Sequence, residues 1–122
     1  MRAPVSSTNM AIIIDEREFQ GTTILVVTGR MTTNECQGDL KNVVRSLSER
    51  GRKQIVIDLE AVPFIDSTGL AELVSCYAGA QRIGGSLKLA SVNRKIAETL
   101  DATGLTPVLQ ITTLPQHVVP RA

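Results

Sequence analysis

The sequence predicts an α/β domain in which helices pack against a mostly parallel β-sheet with an N-terminal antiparallel hairpin. Short apolar, β-branched runs alternate with stretches of helical spacing in the order ββαβαβαβ. Such alternation favours parallel strands joined by right-handed crossovers. The chain has 122 residues, two Phe, one Tyr and no Trp. Aliphatic side chains must therefore build the core of a single domain.

Turn residues delimit the predicted hairpin. Residues 11–28 contain two β-branched runs, the first over 11–15. Gln20-Gly21 between them suits a tight turn, and Gly29 ends the second run.

Cap residues delimit the first predicted helix. Thr32-x-x-Glu35 has the form of a capping box, and Gly51 ends the helical spacing that follows. Gly38 weakens the first turn, so a start nearer Gln37 is the alternative.

The second half of the chain is predicted to alternate strand and helix. We expect a flexible lead-in over 1–10, one domain over 11–113 and a tail over 114–122. The predicted core combines sheet residues with helix residues that pack on them: Leu25, Val27, Ile55, Ile57, Leu87, Leu89, Leu40, Val44, Leu70, Val74 and Leu100. The predicted elements are a strand over Ile55–Asp58, a helix from Ser67 to about Ile83, a strand over Ser86–Ala90, a helix capped by Ser91 or Asn93 and closed by Gly104, and a strand over Val108–Thr112.

Composition argues against several functions. Thirteen Lys and Arg balance twelve Asp and Glu, and without a basic face or stacking aromatics no nucleic acid is expected as a partner.

Cys36 and Cys76 fit no metal motif and are predicted to be reduced core thiols that do not pair. His117, the only histidine, lies beside Pro115 and is poorly placed for catalysis. No signal peptide or membrane span is predicted, so we expect a cytoplasmic protein.

The most informative segment is Asp66-Ser67-Thr68-Gly69, which follows a buried strand and Pro63. Three residues that favour helix N-caps stand in a row, followed by helical apolar spacing. A serine hydroxyl is thus presented at the positive end of a helix, a suitable place for a phosphate. The same residues also fit a plain helix cap, worth ~1 kcal/mol. Gly69 is expected to let a partner or phosphate donor approach, so Gly69→Val should leave the fold intact.

Catalytic and metal sites find little support in the sequence. Asp58, Glu60 and Asp66 could form a carboxylate cluster, but no histidine or cysteine lies near them in the chain. Beside Ser67 there is no general base with an orienting partner, and a G-x-S-x-G elbow is absent. We therefore predict no enzymatic activity, no cofactor and no metal.

The segments IVIDLEAVPFIDSTGLAEL, TGRMTTNE, GGSLKLASVN and LDATGL together resemble a STAS domain of the bacterial anti-sigma factor antagonist family. The resemblance covers almost the whole domain, and its most specific part is Asp66-Ser67-Thr68-Gly69-Leu70. In that family the serine after the aspartate is phosphorylated, which implies Ser67 as the phosphorylation site. The resemblance also implies that the surrounding segment binds the partner.

The resemblance implies a cycle of partner switching. An unphosphorylated antagonist binds an anti-sigma factor that is also a serine kinase of the histidine-kinase-like ATPase type, and so frees a sigma factor. Phosphorylation releases the antagonist, and a serine phosphatase resets it. A monomer or weak homodimer is expected.

One loop departs from the family pattern. Family members commonly carry an acidic residue soon after the strand-ending glycine, where this chain has Arg30 and Thr32. That loop borders the partner surface in the family, so both residues are predicted to contact the partner.

The rival hypothesis is a constitutive STAS scaffold subunit of a signalling or lipid-transport complex, with Ser67 only a cap. A nucleotide binder is the third hypothesis, without a phosphate-binding loop to support it.

Overall fold

The protein forms a five-stranded mixed sheet in the order β1-β2-β3-β4-β5, which confirms the predicted fold class. The computed structural model describes residues 12–32 and 38–114. Strands β1 and β2 are antiparallel, and each later strand pairs in parallel with the one before it. The described elements are β1 (Ile13–Phe19), β2 (Thr22–Thr28), α1 (Asp39–Glu49), β3 (Gln54–Ala61), α2 (Ser67–Arg82), β4 (Ser86–Ala90), α3 (Arg94–Ala102) and β5 (Ile111–Thr112).

The hairpin turns where the sequence predicts. Gln20 and Gly21 have φ values of 50° and 84°, as a type I′ two-residue turn requires. Strand β1 reaches Phe19, beyond the apolar run over 11–15, because its carboxylates find partners. Glu16 pairs with Arg50 at 2.8 Å and Glu18 with Arg52 at 2.6 Å. The hydrogen bond from Arg52 lowers the pKa of the Glu18 carboxyl.

Helix α1 begins at Asp39 after Gly38, whose φ is 82°. Its end confirms the predicted stop, because Gly51 adopts φ 78°. The N–H groups of Gly51 and Arg52 donate to the carbonyls of Ser48 and Leu47, which is a Schellman motif. The Glu35 half of the predicted capping box, like Gln37, Cys36 and His117, lies outside the described residues.

Strand β3 is longer than predicted and contains a bulge. Its pairing with β2 shifts between Val26 and Thr28, which oppose Asp58 and Ala61. Asp58 is only 3% exposed, and its Oδ1 accepts a hydrogen bond of 3.0 Å from the Glu60 N–H in the bulge. A satisfied carboxylate does not end the strand, so Asp58 is an internal residue of β3.

Strand β5 is shorter than the predicted Val108–Thr112. The N–H groups of Val108 and Leu109 both donate to the Leu105 carbonyl. Because this turn uses those donors, only Ile111 and Thr112 pair with β4. Leu109 is nevertheless fully buried, so the turn contributes to the core that the strand was expected to supply.

The core lies between the sheet and the helices. The predicted core residues are buried, apart from Val74, which is partly buried and packs against the same cluster. Helices α1 and α2 pack against each other. Among the described residues, no helix is both long enough and apolar enough to cross a membrane.

Candidate functional site

Two loops run side by side at the carboxyl end of β2 and β3. One begins after β2 at Gly29 and the other leads from β3 into α2. Met31 and Ile65 form an isolated parallel bridge. The Met31 N–H donates to the Phe64 carbonyl at 3.0 Å, and the Asp66 N–H donates to the Met31 carbonyl at 3.1 Å. This pairing brings the loop of Arg30 and Thr32 against the serine loop.

Asp66 is the N-cap of α2. Its side chain accepts hydrogen bonds from the N–H groups of Thr68 at 2.9 Å and Gly69 at 3.1 Å. Its extended backbone, with φ −103° and ψ −171°, is typical of an N-cap. Ser67 is therefore the first helical residue, and it is exposed. The 16-residue helix places its positive end directly at this serine.

A glycine is required at position 69 because the backbone of another segment of the chain passes very close to it. A Cβ atom at Gly69 would lie 2.1 Å from the Met31 carbonyl oxygen and 2.8 Å from the Met31 Cβ. Contacts under 3.0 Å do not occur for real Cβ atoms. The expectation that Gly69→Val leaves the fold intact is therefore wrong. The close approach is made by the β2–α1 loop of the same chain.

The predicted binding residues differ in accessibility. Arg30 and Ser67 are exposed, whereas Asp66, Thr68 and Thr32 are half-buried. Gly69 and Leu70 are buried, so they lie beneath the exposed residues and pack against the interior. Arg30, Thr32, Asp66, Ser67 and Thr68 define what we call the serine surface.

Phe64 extends the serine surface and was missed by sequence reasoning. Its side chain is 42% exposed although it is one of two Phe in the chain. The neighbouring Val62 and Ile65 are buried, so the loop alternates between core and solvent. The Pro63 beside it could have signalled that pairing stops and the next side chain turns outward. Exposed aromatic side chains are frequent anchors of protein interfaces.

Glu72 is a second residue that sequence reasoning missed. It is 7% exposed, and its Oε1 and Oε2 accept hydrogen bonds from Gly38 N–H at 3.2 Å and Lys41 N–H at 2.9 Å. Gly38 is the N-cap residue of α1 and has no side chain for capping. Glu72 on α2 therefore caps the N-terminus of α1, although it belongs to a different helix. It thereby fixes the end of the β2–α1 connection that adjoins α1.

No metal centre emerges from the described residues, in which no group of three or more His, Cys, Asp or Glu could hold an ion. Cys76 is buried with 1% exposure, as predicted for a core thiol. Asp58, which was considered above for a carboxylate cluster, uses its Oδ1 within the β3 bulge.

The chain is similar in sequence to proteins of one family. The family model described as "STAS domain" matches residues 14–118. The anti-sigma-B factor antagonist of Bacillus subtilis is 33% identical over 72 residues, which are 59% of this chain and 65% of that protein. The match thus spans just under two thirds of that relative.

Solved structures show the same fold. An anti-sigma factor antagonist from Mycobacterium paratuberculosis superposes with a TM-score of 0.75 at 19% identity, covering 92% of this chain and 94% of that one. The Bacillus cell fate determinant SpoIIAA in its phosphorylated form superposes with a TM-score of 0.66 at 13% identity, covering 85% and 93%.

We expect substitution by alanine to have opposite effects on stability at two glycines of α2. Gly69→Ala forces the added methyl into the Met31 backbone, so we expect a loss of ~1–3 kcal/mol in the free energy of unfolding. Gly79→Ala meets nothing within 4 Å and should gain up to ~1 kcal/mol from helix propensity. Urea unfolding of both variants measures the difference. Equal stability of the two would contradict the Met31 contact.

Loss of the Glu72 carboxylate should loosen the start of α1. In Glu72→Ala the N–H groups of Gly38 and Lys41 lose their acceptor, which we expect to cost ~1–3 kcal/mol of stability. Amide hydrogen exchange should accelerate at these two residues more than elsewhere in α1. Glu98→Ala is the control, because Glu98 is exposed and only pairs with Arg94 within one helix. Unchanged exchange at Lys41 would exclude the capping role.

Proposed function

The chain belongs to the STAS domain family, and we propose that it is an anti-sigma factor antagonist switched by phosphorylation of Ser67. Unphosphorylated, it binds an anti-sigma factor that is also a serine kinase of the histidine-kinase-like ATPase type, and thereby frees a sigma factor. Phosphorylation ends the complex, and a serine phosphatase restores it. The antagonist itself is a cytoplasmic binding module with no reaction of its own. The observation that supports this most directly is the exposed Ser67 at the first position of α2.

The position of Ser67 suits a reversible phosphate. A phosphate adds about 1.5–2 negative charges, and the positive end of a helix stabilises negative charge. Asp66 already accepts from the N–H groups of Thr68 and Gly69, so the helix start stays capped in either state. The modification therefore leaves the fold in place.

The same charge opposes binding at this surface. Burying a phosphate in an interface without a matched cation costs several kcal/mol. Ser67 lies between the predicted contacts Asp66 and Thr68, beside the loop of Arg30 and Thr32. A partner that covers this surface must exclude water from Ser67, so phosphorylation weakens the complex.

Phe64 contributes an apolar anchor to the same interface. Its ring is 42% exposed, and its backbone carbonyl is fixed by the Met31 N–H. A rigid aromatic side chain loses little conformational entropy on binding. The serine surface thus combines an apolar anchor with a residue whose charge can be changed.

Substitution of Ser67 should separate the two states. We expect Ser67→Ala to capture the anti-sigma kinase and resist phosphorylation, and Ser67→Asp to fold normally but bind at least tenfold more weakly. The matched control is Ser46, an exposed serine on α1, at which Ala or Asp should leave binding unchanged. Affinity purification with each variant, quantified by mass spectrometry, identifies the partner. Intact-mass analysis with that partner and ATP then counts the phosphates.

Two results would refute the switch. One is a single phosphate on Thr68 in place of Ser67. The other is a Ser67→Asp protein that captures the same kinase as strongly as the wild type. In the second case the rival hypothesis of a constitutive scaffold subunit would stand.

A further inference from the structure

A groove between α1 and α2 lies away from the serine surface. Its cavity volume is about 830 Å³. On α2 its lining begins at Ser75 and ends at Ile83. With a rise of about 1.5 Å per residue, Ser75 is roughly 12 Å along the helix from Ser67. The groove is therefore a separate surface, which we call the helix groove.

Gly79 keeps the helix groove open. A glycine inside a helix costs about 1 kcal/mol relative to alanine. Gly69 and Gly85 have packing reasons, since an added Cβ would strike backbone atoms at 2.1 and 2.3 Å. At Gly79 an added Cβ meets nothing within 4 Å. A larger side chain at position 79 would therefore extend into the open space of the groove.

The rim of the helix groove is basic. Lys41, Arg45 and Arg82 line it together with a single acid, Glu49, although the whole chain carries a formal charge of only +1. No ion pair joins Lys41 or Arg82 to any residue in the described ranges. These cations are exposed and available to negative charges of a partner.

The floor of the helix groove is apolar. Val44 and Cys76 are buried beneath it, and Ile83 lines one end. Both helices follow a strand of the parallel part of the sheet, so they run in the same direction along the two sides of the groove. On α1 the lining of the groove runs from Lys41 to Glu49, which gives a length of roughly 12 Å, or a little over two helical turns.

We propose that the helix groove is the docking site for an acidic amphipathic helix of a partner protein. Apolar side chains of that helix would contact the floor, and its carboxylates would pair with Lys41, Arg45 and Arg82. A nucleic acid fits less well, because none of the described lining residues is an aromatic on which bases could stack. This surface would let the domain hold a second protein whatever the state of Ser67.

The test is cross-linking inside the cells that produce the protein. A photoreactive amino acid replaces Ala78, an exposed residue that lines the groove, and mass spectrometry sequences the attached peptide. We expect one predominant peptide of net negative charge with apolar residues at helical spacing. The added side chain in Gly79→Leu should reduce the cross-linked fraction at least tenfold, whereas Gly79→Ala should retain most of it. Reversal of two cations in R45E/R82E should also reduce it at least tenfold.

Several outcomes would overturn the proposal. They are no cross-link above that at an exposed position outside the groove, attachment to a basic peptide or nucleic acid, and attachment to the chain itself. Full cross-linking in a folded Gly79→Leu protein would do the same. Thermal unfolding shows whether that variant is folded, and R45E/R82E provides the test if it is not.

Discussion

The approach of the Met31 backbone to Gly69 is the constraint on which the serine surface depends. A side chain at position 69 would overlap the Met31 carbonyl oxygen, and that same oxygen accepts the Asp66 N–H. One carbonyl therefore fixes the residue that caps α2 and the distance between the two loops. Without this contact, Arg30 and Thr32 would lose their place beside Ser67.

Helix α2 connects this surface with the rest of the molecule. Its first turn presents Ser67, and Glu72 one turn later holds the start of α1 through Gly38 and Lys41. A charge that is 7% exposed is stable there because two backbone donors satisfy it. The β2–α1 connection is thus held against α2 at both ends, by Met31 and by Glu72. Under the proposed switch, this arrangement would hold the support of Ser67 in place when the charge of that residue changes.

Local signals in the sequence were sufficient for much of this account. The Gln20-Gly21 turn, the Asp66 cap and the stop at Gly51 each follow from a few adjacent residues with one strongly preferred conformation. Hydrophobic spacing was enough to predict the α/β fold, and all but one of the core residues named from it are buried. The likeness of Asp66-Ser67-Thr68-Gly69-Leu70 to a family signature then indicated where to look for function.

Contacts between distant segments were beyond local reasoning. Glu72 caps a helix whose N-cap residue lies 34 positions earlier, and nothing in its own neighbourhood signals that role. The predicted role of Gly69 was wrong, because the backbone that approaches it belongs to Met31, which lies 38 positions earlier in the chain. The continuation of β1 beyond its apolar run has a similar cause, since Glu16 and Glu18 pair with Arg50 and Arg52, which follow α1 in the chain.

The central claim is that Ser67 can carry a phosphate without disturbance of the fold that presents it. Protein with phosphoserine incorporated at position 67 allows a direct measurement by amide hydrogen exchange. We expect the protection of the Met31 and Asp66 amides to change by less than about 1 kcal/mol, because the helix N-terminus stabilises the added charge. A loss of several kcal/mol at these two amides would show that phosphorylation opens the loops, and would contradict a switch on a rigid support.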